Sequence, residues 1–415
     1  MEKKVAILGA GISGLSTAFQ LRELNPNIDF TIFERNPDLE GGRACTSVKQ
    51  CDEKLNQSLF FDPGASYISF DNQEQQDLIY EKFFKKDHPD IFLKDLEEIK
   101  KPIFTLNKDG LIEKTEKKTL NLSYKKGIHQ LTNKLGHNIL DKIRFNSEIL
   151  SLLKDQNSKR WVIHYRNVKD NISHSEHFDV IINALHPLAL QSILANNIIE
   201  GNQTDKLIQE ENLNKAITSL KGMNFKQAIS VCLDYQIPKS LLGDHLKEDL
   251  TEFFSIVNPD YTHDILQINV ENEKPGHIPD LRNDSQFDYI HLGLTIQMSQ
   301  KWSDIYMNKP NEEIINEVIL KLIKIFQNKD NKNFFNRALP ENAEKIFKSK
   351  ENIWFSQVSK WEYAYHAQQV DLNKCVENPK QEGLYFGGDI LYPKASILNA
   401  IESGINIAKQ VNQVY

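Results

Sequence analysis

Residues 5–14 of the chain read VAILGAGISG, a short apolar run followed by glycines at positions 9, 11 and 14. This spacing predicts the strand, tight turn and helix that open a dinucleotide-binding βαβ unit. Gly9 permits the turn, Gly11 lets the backbone approach a pyrophosphate, and Gly14 lets the helix lie close to the strand. The pyrophosphate would lie over the free N–H groups at the start of the helix, where the helix dipole favours negative charge.

The second predicted strand, DFTIFE, ends in Glu34, twenty residues after Gly14. A carboxylate at this distance accepts hydrogen bonds from a ribose diol, and its charge repels the 2′-phosphate of NADP. Glycines at this spacing also occur in ordinary turns, but here the strand, the amphipathic helix and Glu34 all agree on a dinucleotide site. The glycines and hydroxyl residues also dilute the apolar run that a secretory signal would need.

A second glycine-rich segment, GGRACT, follows Glu34 and indicates which dinucleotide is bound. Its glycines, among them Gly42, let the chain pass close to a bound ligand. Arg43 would supply the fork of donors that suits phosphate geometry. The stretch FFDPGASYIS, residues 60–69, then predicts a further strand that is broken by a Pro-Gly pair.

With these segments the chain resembles the FAD-binding amine oxidase superfamily, in which the amino-terminal fingerprint precedes a GGR segment and a D-x-GA-x-Y type strand near the flavin. The resemblance continues in residues 383–408, where a strand, a Gly-Asp pair and a last helix with a small Ser-Gly pair follow one another. It implies that Asp389 contacts the ribityl or pyrophosphate part of FAD. It also implies that the N-terminus of the last helix, residues 397–400, points at the flavin C2 carbonyl and stabilises the anionic reduced flavin.

The glycine segments and the resemblance together predict a set of cofactor-binding residues. The set comprises Gly9, Gly11, Gly14, Glu34, Arg35, Gly42, Arg43, Gly64, Ala65, Ser66, Ile149, Gly388, Asp389, Ile397 and Leu398. Ile149 is included because proteins of this kind pass the corresponding strand beside the adenine. We expect FAD to be bound non-covalently, because the closing motif carries no cysteine.

The length of the chain predicts two domains, because 415 residues exceed the size of about 250 to 300 at which single cores stop growing. We predict an α/β fold with a Rossmann-type, glutathione-reductase-like FAD-binding domain formed by residues 1–70, 125–200 and 380–415. An α+β substrate domain on an antiparallel sheet, residues 71–124 and 201–379, would be inserted into it.

Particular elements support this organisation. A charged, solvated helix is expected over residues 73–86 and a hairpin that turns at 108–110. The apolar run 178–185 is typical of a strand buried in a parallel sheet. Alternating strands are predicted at 228–235, 265–270 and 289–296, with a long helix at 311–326.

Composition disfavours several classes of function. The net charge of −7, with acids and bases intermixed, leaves no basic patch for nucleic acid or anionic lipid. The richest apolar stretch, residues 180–199, contains polar residues and does not form a clean membrane-spanning helix of ~20 apolar residues. The four cysteines form no CxxC pair, which disfavours disulfide-reductase chemistry and a thiolate zinc site. We therefore expect a cytoplasmic protein without a metal, and the sequence leaves its oligomeric state open.

No second glycine fingerprint follows the first, so a separate Rossmann domain for NAD(P)H is not encoded. The flavin would then be reduced by a small-molecule substrate in the cleft of the inserted domain. Within the superfamily the chain most resembles renalase-like proteins, through GGRACT, residues 178–194, NVENEKPG at 269–276 and SKWEYA at 359–364. This implies an oxidase that takes a hydride from dihydro-NAD(P) isomers onto flavin N5 and passes the electrons to O₂, giving H₂O₂. The chain has WEY where bacterial relatives tend to have WRY, which leaves the substrate open.

Two other functions remain open: an amine oxidase or desaturase of a larger apolar substrate, and a non-catalytic protein that holds FAD as a structural ligand. Hydride transfer depends on positioning rather than on an acid–base group, so no catalytic residue receives a defined role. Tyr67, Trp361 and Tyr363 are candidates for a wall at the flavin face, although large aromatics are also ordinary core residues. Lys226 is a candidate for holding a water at N5, although a lysine at a strand end is more often a surface residue. His186, before Pro187, is expected to cap a turn.

Overall fold

The computed structural model describes residues 3–39, 42–50, 55, 57–70, 72–115, 119–155, 157–200, 207–208, 211–220, 225–366, 369–370, 372 and 382–414. We number the strands β1 to β21 and the helices α1 to α11 in chain order over these residues.

A five-stranded parallel sheet contains the amino-terminal segment. Its strands, in spatial order, are β10 (Ile143–Arg144), β2 (Asp29–Phe33), β1 (Lys4–Leu8), β14 (Val180–Asn183) and β21 (Leu384–Phe386). The strands that follow β1 lie first on one side of it and then, from β14 onward, on the other. This reversal between β1 and β14 creates the switch point at which open α/β sheets bind ligands, outside the carboxyl ends of their strands.

Helices α1 (Ile12–Leu24) and α11 (Ile397–Asn412) pack against each other beside this sheet. They approach closely at Gly404, where an added Cβ would lie 2.6 Å from the Cβ of Ser16. Helix α4 (Gln130–Gly136) also contacts α1. The apolar side chains of β1, α1, α4 and α11 form one shared core, so the helices cover the sheet as a parallel sheet requires.

A seven-stranded sheet forms the second large layer. Its strands, in spatial order, are β20 (Ile353–His366), β16 (Phe225–Pro238), β19 (Tyr289–Met298), β18 (Ile265–Val270), β17 (Ser255–Val257), β7 (Ile103–Leu106) and β8 (Ile112–Glu113). All neighbouring pairs are antiparallel except β17 and β7. Helices α9 (Asn311–Gln327) and α10 (Ala338–Phe347) share a core with alternate residues of β16 and β19, so one face of the sheet is covered.

Three smaller sheets complete the strands. An antiparallel sheet has the order β13 (Ser173–Phe178), β12 (Trp161–Asn167), β11 (Ser147–Asp155) and β15 (Leu207–Ile208). The other two sheets contain β3 (Ser47–Lys49) with β4 (Leu59–Phe61), and β5 (Ile68–Ser69) with β9 (Asn121–Tyr124) and β6 (Leu96–Glu98).

The remaining helices connect these layers. They are α2 (Gln73–Gln75), which continues as a π-helical segment (Gln76–Asp87), α3 (Pro89–Phe92), α5 (Pro187–Glu200), α6 (Glu211–Leu220), α7 (Lys239–Leu242) and α8 (Gln300–Tyr306). Short 3₁₀ turns at Gly42–Ala44, Glu271–Glu273 and Asp389–Leu391 lie near the site described below.

Most of the predicted elements are present. The hairpin at 108–110 is confirmed, with Gly110 at φ 78° between β7 and β8, and the apolar run 178–185 contains the buried parallel strand β14. The prediction of a helix over 73–86 is confirmed, and Glu74, Lys82, Lys85 and Lys86 are exposed. The expectation that the whole segment is solvated is wrong, because Ile79, Phe83 and Phe84 are buried in the core that also contains α1. Part of the segment 71–124 therefore packs with the parallel sheet, and the division into two domains at the stated boundaries stays a prediction.

Among the described residues, each helix is too short or too polar to cross a lipid bilayer. The cytoplasmic location stays a prediction.

Candidate functional site

A cavity of about 1030 Å³ lies where the carboxyl ends of β1 and β14 meet. It is lined by backbone and side chains from segments that are far apart in the sequence. These segments are 9–13, 42–44, 64–69, 184–187, 360–365 and 387–390, together with 394–398 at the start of α11. The cavity lies at the switch point of the sheet, as expected for a ligand site in an open α/β fold.

The turn between β1 and α1 has room for a ligand on one side only. A Cβ on Gly14 would lie 2.0 Å from the carbonyl oxygen of Gly9, so no side chain fits there. A Cβ on Gly11 would meet no atom within 4 Å, so this part of the backbone faces open space. Gly11 is the N-cap of α1 without a side-chain cap bond, and the first turn has no acidic residue. The first N–H groups of α1 are thus available to an anion.

Glu34 lies beside this turn. One carboxylate oxygen accepts from the backbone N–H of Ala10 and the other from that of Asn36, both at 2.9 Å. These bonds fix the carboxylate at the edge of the cavity, and each oxygen keeps a further lone pair for a ribose hydroxyl. The neighbouring Arg35 is exposed and is not among the cavity-lining residues.

Arg43 joins the second glycine segment to the closing motif. Its Nη2 lies 2.8 Å from Asp389 Oδ1, and its Nη1 donates to the carbonyl oxygen of Ala364 at 3.1 Å. The carbonyl oxygen of Arg43 accepts from the N–H of Ala65 at 2.8 Å. A Cβ on Gly64 would lie 2.1 Å from the same carbonyl oxygen, so the two chain segments cross in direct contact. We refer to Gly9, Gly11, Glu34, Gly42 and Arg43 as the glycine side of the cavity.

The N-terminus of a second helix opens on the same cavity. Ser396 caps α11 by accepting from the backbone N–H of Asn399 at 3.1 Å, and the first turn contains no acidic residue. Ile397 and Leu398 line the cavity directly after this cap. The positive ends of two helix dipoles therefore act on one space, which favours a ligand with anionic groups.

Aromatic side chains form another part of the lining, which we call the aromatic wall: Tyr67, Trp361, Tyr363 and Tyr365. The Tyr67 ring lies edge-on to Phe254 with centroids 5.0 Å apart. Burial raises the pKa of Tyr67, although the side chain of Gln267 forms a hydrogen bond with its hydroxyl. Sequence reasoning named three of the four residues and missed Tyr365, whose pKa is also raised by burial.

Two polar atoms of the aromatic wall lack a partner. Trp361 Nε1 and Tyr365 Oη are both buried, and neither has a hydrogen-bond partner among the described residues. Buried donors without partners are rare in folded proteins and require an explanation. A ligand in the cavity would supply the acceptors that these two atoms lack.

His186 lines the cavity between β14 and α5, and its expected role as a cap is confirmed. Its Nδ1 accepts from the backbone N–H of Leu188 at 3.3 Å, and its ring stacks on Tyr363 with centroids 5.5 Å apart. Burial, together with the nearby positive charge of Arg43, lowers the pKa of His186 to about 4. The imidazole is therefore neutral near pH 7.

Four predicted residues are not among the lining of the cavity. Gly14 packs against the Gly9 carbonyl, and Arg35 is exposed. Ile149 is buried in β11, two residues after Ser147, whose N–H donates to the carbonyl oxygen of Glu34 at 2.8 Å. Lys226 holds its ammonium 5.0 Å from the centre of the Tyr261 ring. This position does not support the water-holding role suggested for Lys226, and it agrees with the interpretation of an ordinary lysine at a strand end.

The other predicted cofactor residues come together in the cavity. They are Gly9, Gly11, Glu34, Gly42, Arg43, Gly64, Ala65, Ser66, Gly388, Asp389, Ile397 and Leu398. Sequence reasoning missed Gln267 and Gln297, which line the cavity from β18 and β19. These amides carry no motif, and only the register of the seven-stranded sheet places them there.

Comparisons with known proteins agree with this architecture. A family model described as an NAD(P)-binding Rossmann-like domain matches residues 7–82. Coproporphyrinogen III oxidase of Staphylococcus aureus (strain NCTC 8325 / PS 47) is 65% identical over 34 residues, which are 8% of this chain and 7% of that protein. The match thus spans only a small part of the relative's length.

Solved structures match over nearly the whole chain. A candidate protoporphyrinogen oxidase from Exiguobacterium sp. 255-15 has a TM-score of 0.63 and 12% identity, with 100% of both chains covered. A redesigned variant of putrescine oxidase has a TM-score of 0.63 and 11% identity, with 100% and 99% covered. A candidate FAD-containing monooxygenase from Photorhabdus luminescens subsp. laumondii TTO1 has a TM-score of 0.52 and 13% identity, with 99% and 89% covered. The chain shares the fold of these solved structures.

Proposed function

We propose that the protein is an FAD-dependent oxidoreductase that oxidises a small-molecule donor and passes the electrons to O₂, giving H₂O₂. One observation carries this proposal: the glycine side, two helix N-termini and the aromatic wall all open on the same cavity. When bound, FAD supplies the chemistry, since its N5 accepts a hydride from the donor. The protein supplies binding, orientation and a shielded space.

The residues of the cavity fit the parts of FAD. The N-terminus of α1 with Gly11 would hold the pyrophosphate, and Glu34 the adenosine ribose. Arg43 and Asp389 would hold the phosphate and ribityl region, and the N-terminus of α11 would lie at the flavin ring. No cysteine is among the described lining residues, and this supports our proposal that FAD is bound non-covalently.

The aromatic wall supports a planar donor. Tyr67 and Trp361 offer flat surfaces on which a ring can stack, while Trp361 Nε1 and Tyr365 Oη offer N–H and O–H donors without partners. Gln267 and Gln297 add side-chain amides. The carboxylates that line the cavity are Glu34, Asp389 and the exposed Glu362, so the aromatic wall has no buried anion to pair with a polyamine.

These features lead to the finer proposal that the donor is a dihydro-NAD(P) isomer, as in renalase-like oxidases. Its dihydropyridine ring is planar and uncharged, and its carboxamide can pair with the unpartnered donors and the glutamine amides. Positioning of the ring over the flavin is then the main contribution of the protein, because hydride transfer needs no general base. His186 is consistent with this, since a pKa of about 4 makes its imidazole a weak base and leaves no imidazolium near pH 7.

Anaerobic stopped-flow reduction tests the proposal. The protein is reconstituted with FAD and mixed with dihydro-NAD(P) isomers, putrescine, protoporphyrinogen or coproporphyrinogen in separate experiments. We expect loss of flavin absorbance near ~450 nm with the first donors alone, followed by reoxidation and stoichiometric H₂O₂ when O₂ is added. Reduction by putrescine or a porphyrinogen alone would replace the donor assignment and keep the oxidase. An FAD complex that no donor reduces would show a structural role for the flavin.

A further inference from the structure

A cluster of four ionisable side chains lies directly behind one part of the cavity lining. It consists of Asp62, Glu271, Lys274 and His277, whose side chains have no exposed surface. Lys274 Nζ lies 3.1 Å from Asp62 Oδ2 and 2.9 Å from Glu271 Oε2. The cluster joins two motifs, the DPGA segment and the ENEK segment, that the proposed function leaves largely unused.

Hydrogen bonding holds the ring of His277 in place. Its Nδ1 lies 2.9 Å from Glu271 Oε2 and 3.1 Å from the carbonyl oxygen of Phe60. Its Nε2 lies 3.1 Å from the carbonyl oxygen of Tyr124 and 3.3 Å from Ser123 Oγ. The ring therefore ties Glu271 to the segments that carry Phe60 and Tyr124.

The donor set resembles a metal site but is already occupied by a protein cation. Ligand atoms of Asp62, Glu271 and His277 lie within 4.8 Å of one another. The ammonium of Lys274 bridges the two carboxylates, at 3.1 Å from Asp62 Oδ2 and 2.9 Å from Glu271 Oε2. Burial would raise the pKa of Glu271, but Lys274 and His277 outweigh it and hold that pKa below its usual value. Burial would lower the pKa of Lys274, but the two carboxylates raise it.

Asp62 connects the cluster to the cavity lining. Its Oδ1 accepts from Thr46 Oγ1 at 2.6 Å and from the N–H of Ile128 at 3.0 Å. Thr46 follows the 3₁₀ turn that carries Arg43, and Asp62 begins the segment that carries Tyr67. We call residues 42–46 and 62–69 the loop pair. Both segments of the loop pair line the cavity, so a shift of Asp62 would move both parts of the lining.

Glu271 connects the cluster to the seven-stranded sheet. Its Oε1 accepts from Thr295 Oγ1 of β19 at 2.6 Å. Just before it, Asn269 of β18 donates to Ser66 Oγ of the loop pair at 3.0 Å and accepts from Gln267 at 2.8 Å. Lys274 is therefore the ionic bridge between the loop pair, which carries Arg43 and Tyr67, and the sheet, which carries Gln267.

The energetics favour a positional role. Removing ions from water costs several kcal/mol per ion, and well-packed apolar residues often give equal or greater stability than a buried ion pair. An ionic cluster is thus a poor way to gain stability, but it fixes relative position because its geometry has few alternatives. We propose that Lys274 is a positioning residue that locks the loop pair to the seven-stranded sheet and so sets the distance between cofactor and donor. The effect on the distance between cofactor and donor rests on the proposed function. The link between the loop pair and the sheet, which we call the lock, does not.

The test uses two variants and a matched control. Lys274→Met removes the bridge and makes the net charge of the cluster more negative by one. Glu271→Gln combined with Lys274→Met removes the bridge but restores the net charge of the wild-type cluster. Lys101→Met is the control, because Lys101 Nζ also contacts two carboxylates, Asp249 at 3.1 Å and Glu273 at 2.9 Å. Glu273 lies on the same turn as Glu271.

Hydrogen–deuterium exchange of the full chain, without the cofactor, measures how firmly the loop pair is held to the sheet. We expect exchange in residues 42–46 and 62–69 to become about tenfold faster in both Lys274 variants, with β1 and the Lys101 variant unchanged. The double variant should also melt at a higher temperature than Lys274→Met. Wild-type exchange in the double variant would mean that the net charge of the cluster alone matters and would overturn the proposal. If both Lys274 variants failed to fold while Lys101→Met folded, the proposal would also be overturned, because the cluster would then be required for folding.

Reconstituted enzyme provides the second readout. With FAD bound, both Lys274 variants should lower kcat about tenfold and alter the visible circular dichroism of the flavin, because a small misplacement of reacting groups strongly slows transfer. The Lys101 variant should change neither. If the wild-type protein bound no FAD, the proposed function would fail while the exchange experiment still decided the lock. Faster exchange in the loop pair with unchanged kcat would contradict the effect of the lock on cofactor and donor.

Discussion

On the glycine side of the cavity, the turn, helix α1 and Glu34 come from one continuous stretch, residues 9–34, whereas the aromatic wall combines Tyr67 with residues 361–365. The first arrangement depends on contacts between neighbours, such as the packing of Gly14 on the Gly9 carbonyl, where an added Cβ would lie only 2.0 Å from the oxygen. The second depends on how β20 pairs with β16, which places Trp361 opposite Ala228 and Tyr365 opposite Lys226. Local geometry thus fixes the glycine side, and sheet register fixes the aromatic wall. We therefore expect substitutions on the glycine side to change stability and FAD affinity, and substitutions in the aromatic wall to change turnover.

The largest expected effect contrasts two glycines of the first turn. Gly14→Ala places a methyl group against the Gly9 carbonyl, so we expect the free energy of unfolding to fall by about 3 kcal/mol. Gly11→Ala meets no atom within 4 Å and should change apoprotein stability by less than about 1 kcal/mol. Gly11→Ala should still weaken FAD binding. Urea unfolding and FAD titration measure both effects, and equal stability of the two variants would refute the proposed geometry of the turn.

The second prediction concerns His186, whose neutral imidazole borders both the glycine side and the aromatic wall. The pKa of His186 is lowered to about 4 in the folded protein, so between pH 6.5 and pH 4 the unfolded chain binds a proton that the folded protein does not. The free energy of unfolding should therefore fall as the pH falls through this window. After allowance for partial exposure, the contribution is about 2 kcal/mol. Urea unfolding at pH 7 and pH 4.5 should show a smaller loss in His186→Gln than in wild type, and identical losses would exclude this histidine as the cause.

The extent of successful prediction follows the same contrast between local and long-range determinants. Strand β1, helix α1 and the acid at the end of β2 were predictable because strand, turn and helix have local signatures. The parallel strand β14 and the hairpin at 108–110 were predictable for the same reason. Glycine positions at the cavity were predictable because each answers a local steric requirement.

The remainder depends on contacts between distant residues. Segment 73–86 looks charged and solvated, but Ile79, Phe83 and Phe84 are buried against α1, a contact that charge counting does not reveal. Gln297 and Tyr365 enter the cavity only through strand register, and nothing in their local sequence distinguishes them from other strand residues. The ring of His277 likewise contacts the carbonyl oxygens of Phe60 and Tyr124, which only the tertiary fold brings to it.

The third prediction tests the charge of the glycine side. Arg43→Met should raise the dissociation constant for FAD about tenfold, because a charge-assisted contact to phosphate is lost. Arg160→Met is a matched control, since Arg160 also pairs with an aspartate and has a similar exposure, 38% against 40% for Arg43. Arg160 lies outside the lining of the cavity. FAD titration of the apoproteins measures the difference, and an equal effect of both substitutions would contradict the role of Arg43.

A smaller effect is expected from two glycines with nearly the same positive φ. Gly42 has φ 56° and Gly243 has φ 51°, and an added Cβ meets no atom within 4 Å at either position. Alanine should therefore destabilise each variant by about 1 kcal/mol or more, because a positive φ is strained for a residue that carries a Cβ. Gly42→Ala should in addition weaken FAD binding about fivefold, since Gly42 lines the cavity. Thermal unfolding measures the loss of stability, and FAD titration measures the loss of affinity. An unchanged affinity in Gly42→Ala would place the ligand elsewhere.

The smallest effect isolates the aromatic wall. Trp354 and Trp361 both lie on β20, and each has a buried indole N–H without a partner among the described residues, but only Trp361 lines the cavity. Phenylalanine at either position removes a donor that is unsatisfied in the free protein, so neither variant should lose FAD affinity. Trp361→Phe should raise KM for the donor molecule about threefold, because one neutral hydrogen bond contributes about 1 kcal/mol or less. Steady-state kinetics of both variants decide the matter, since a matching rise in KM for Trp354→Phe would trace the effect to strand packing rather than to a contact with the donor.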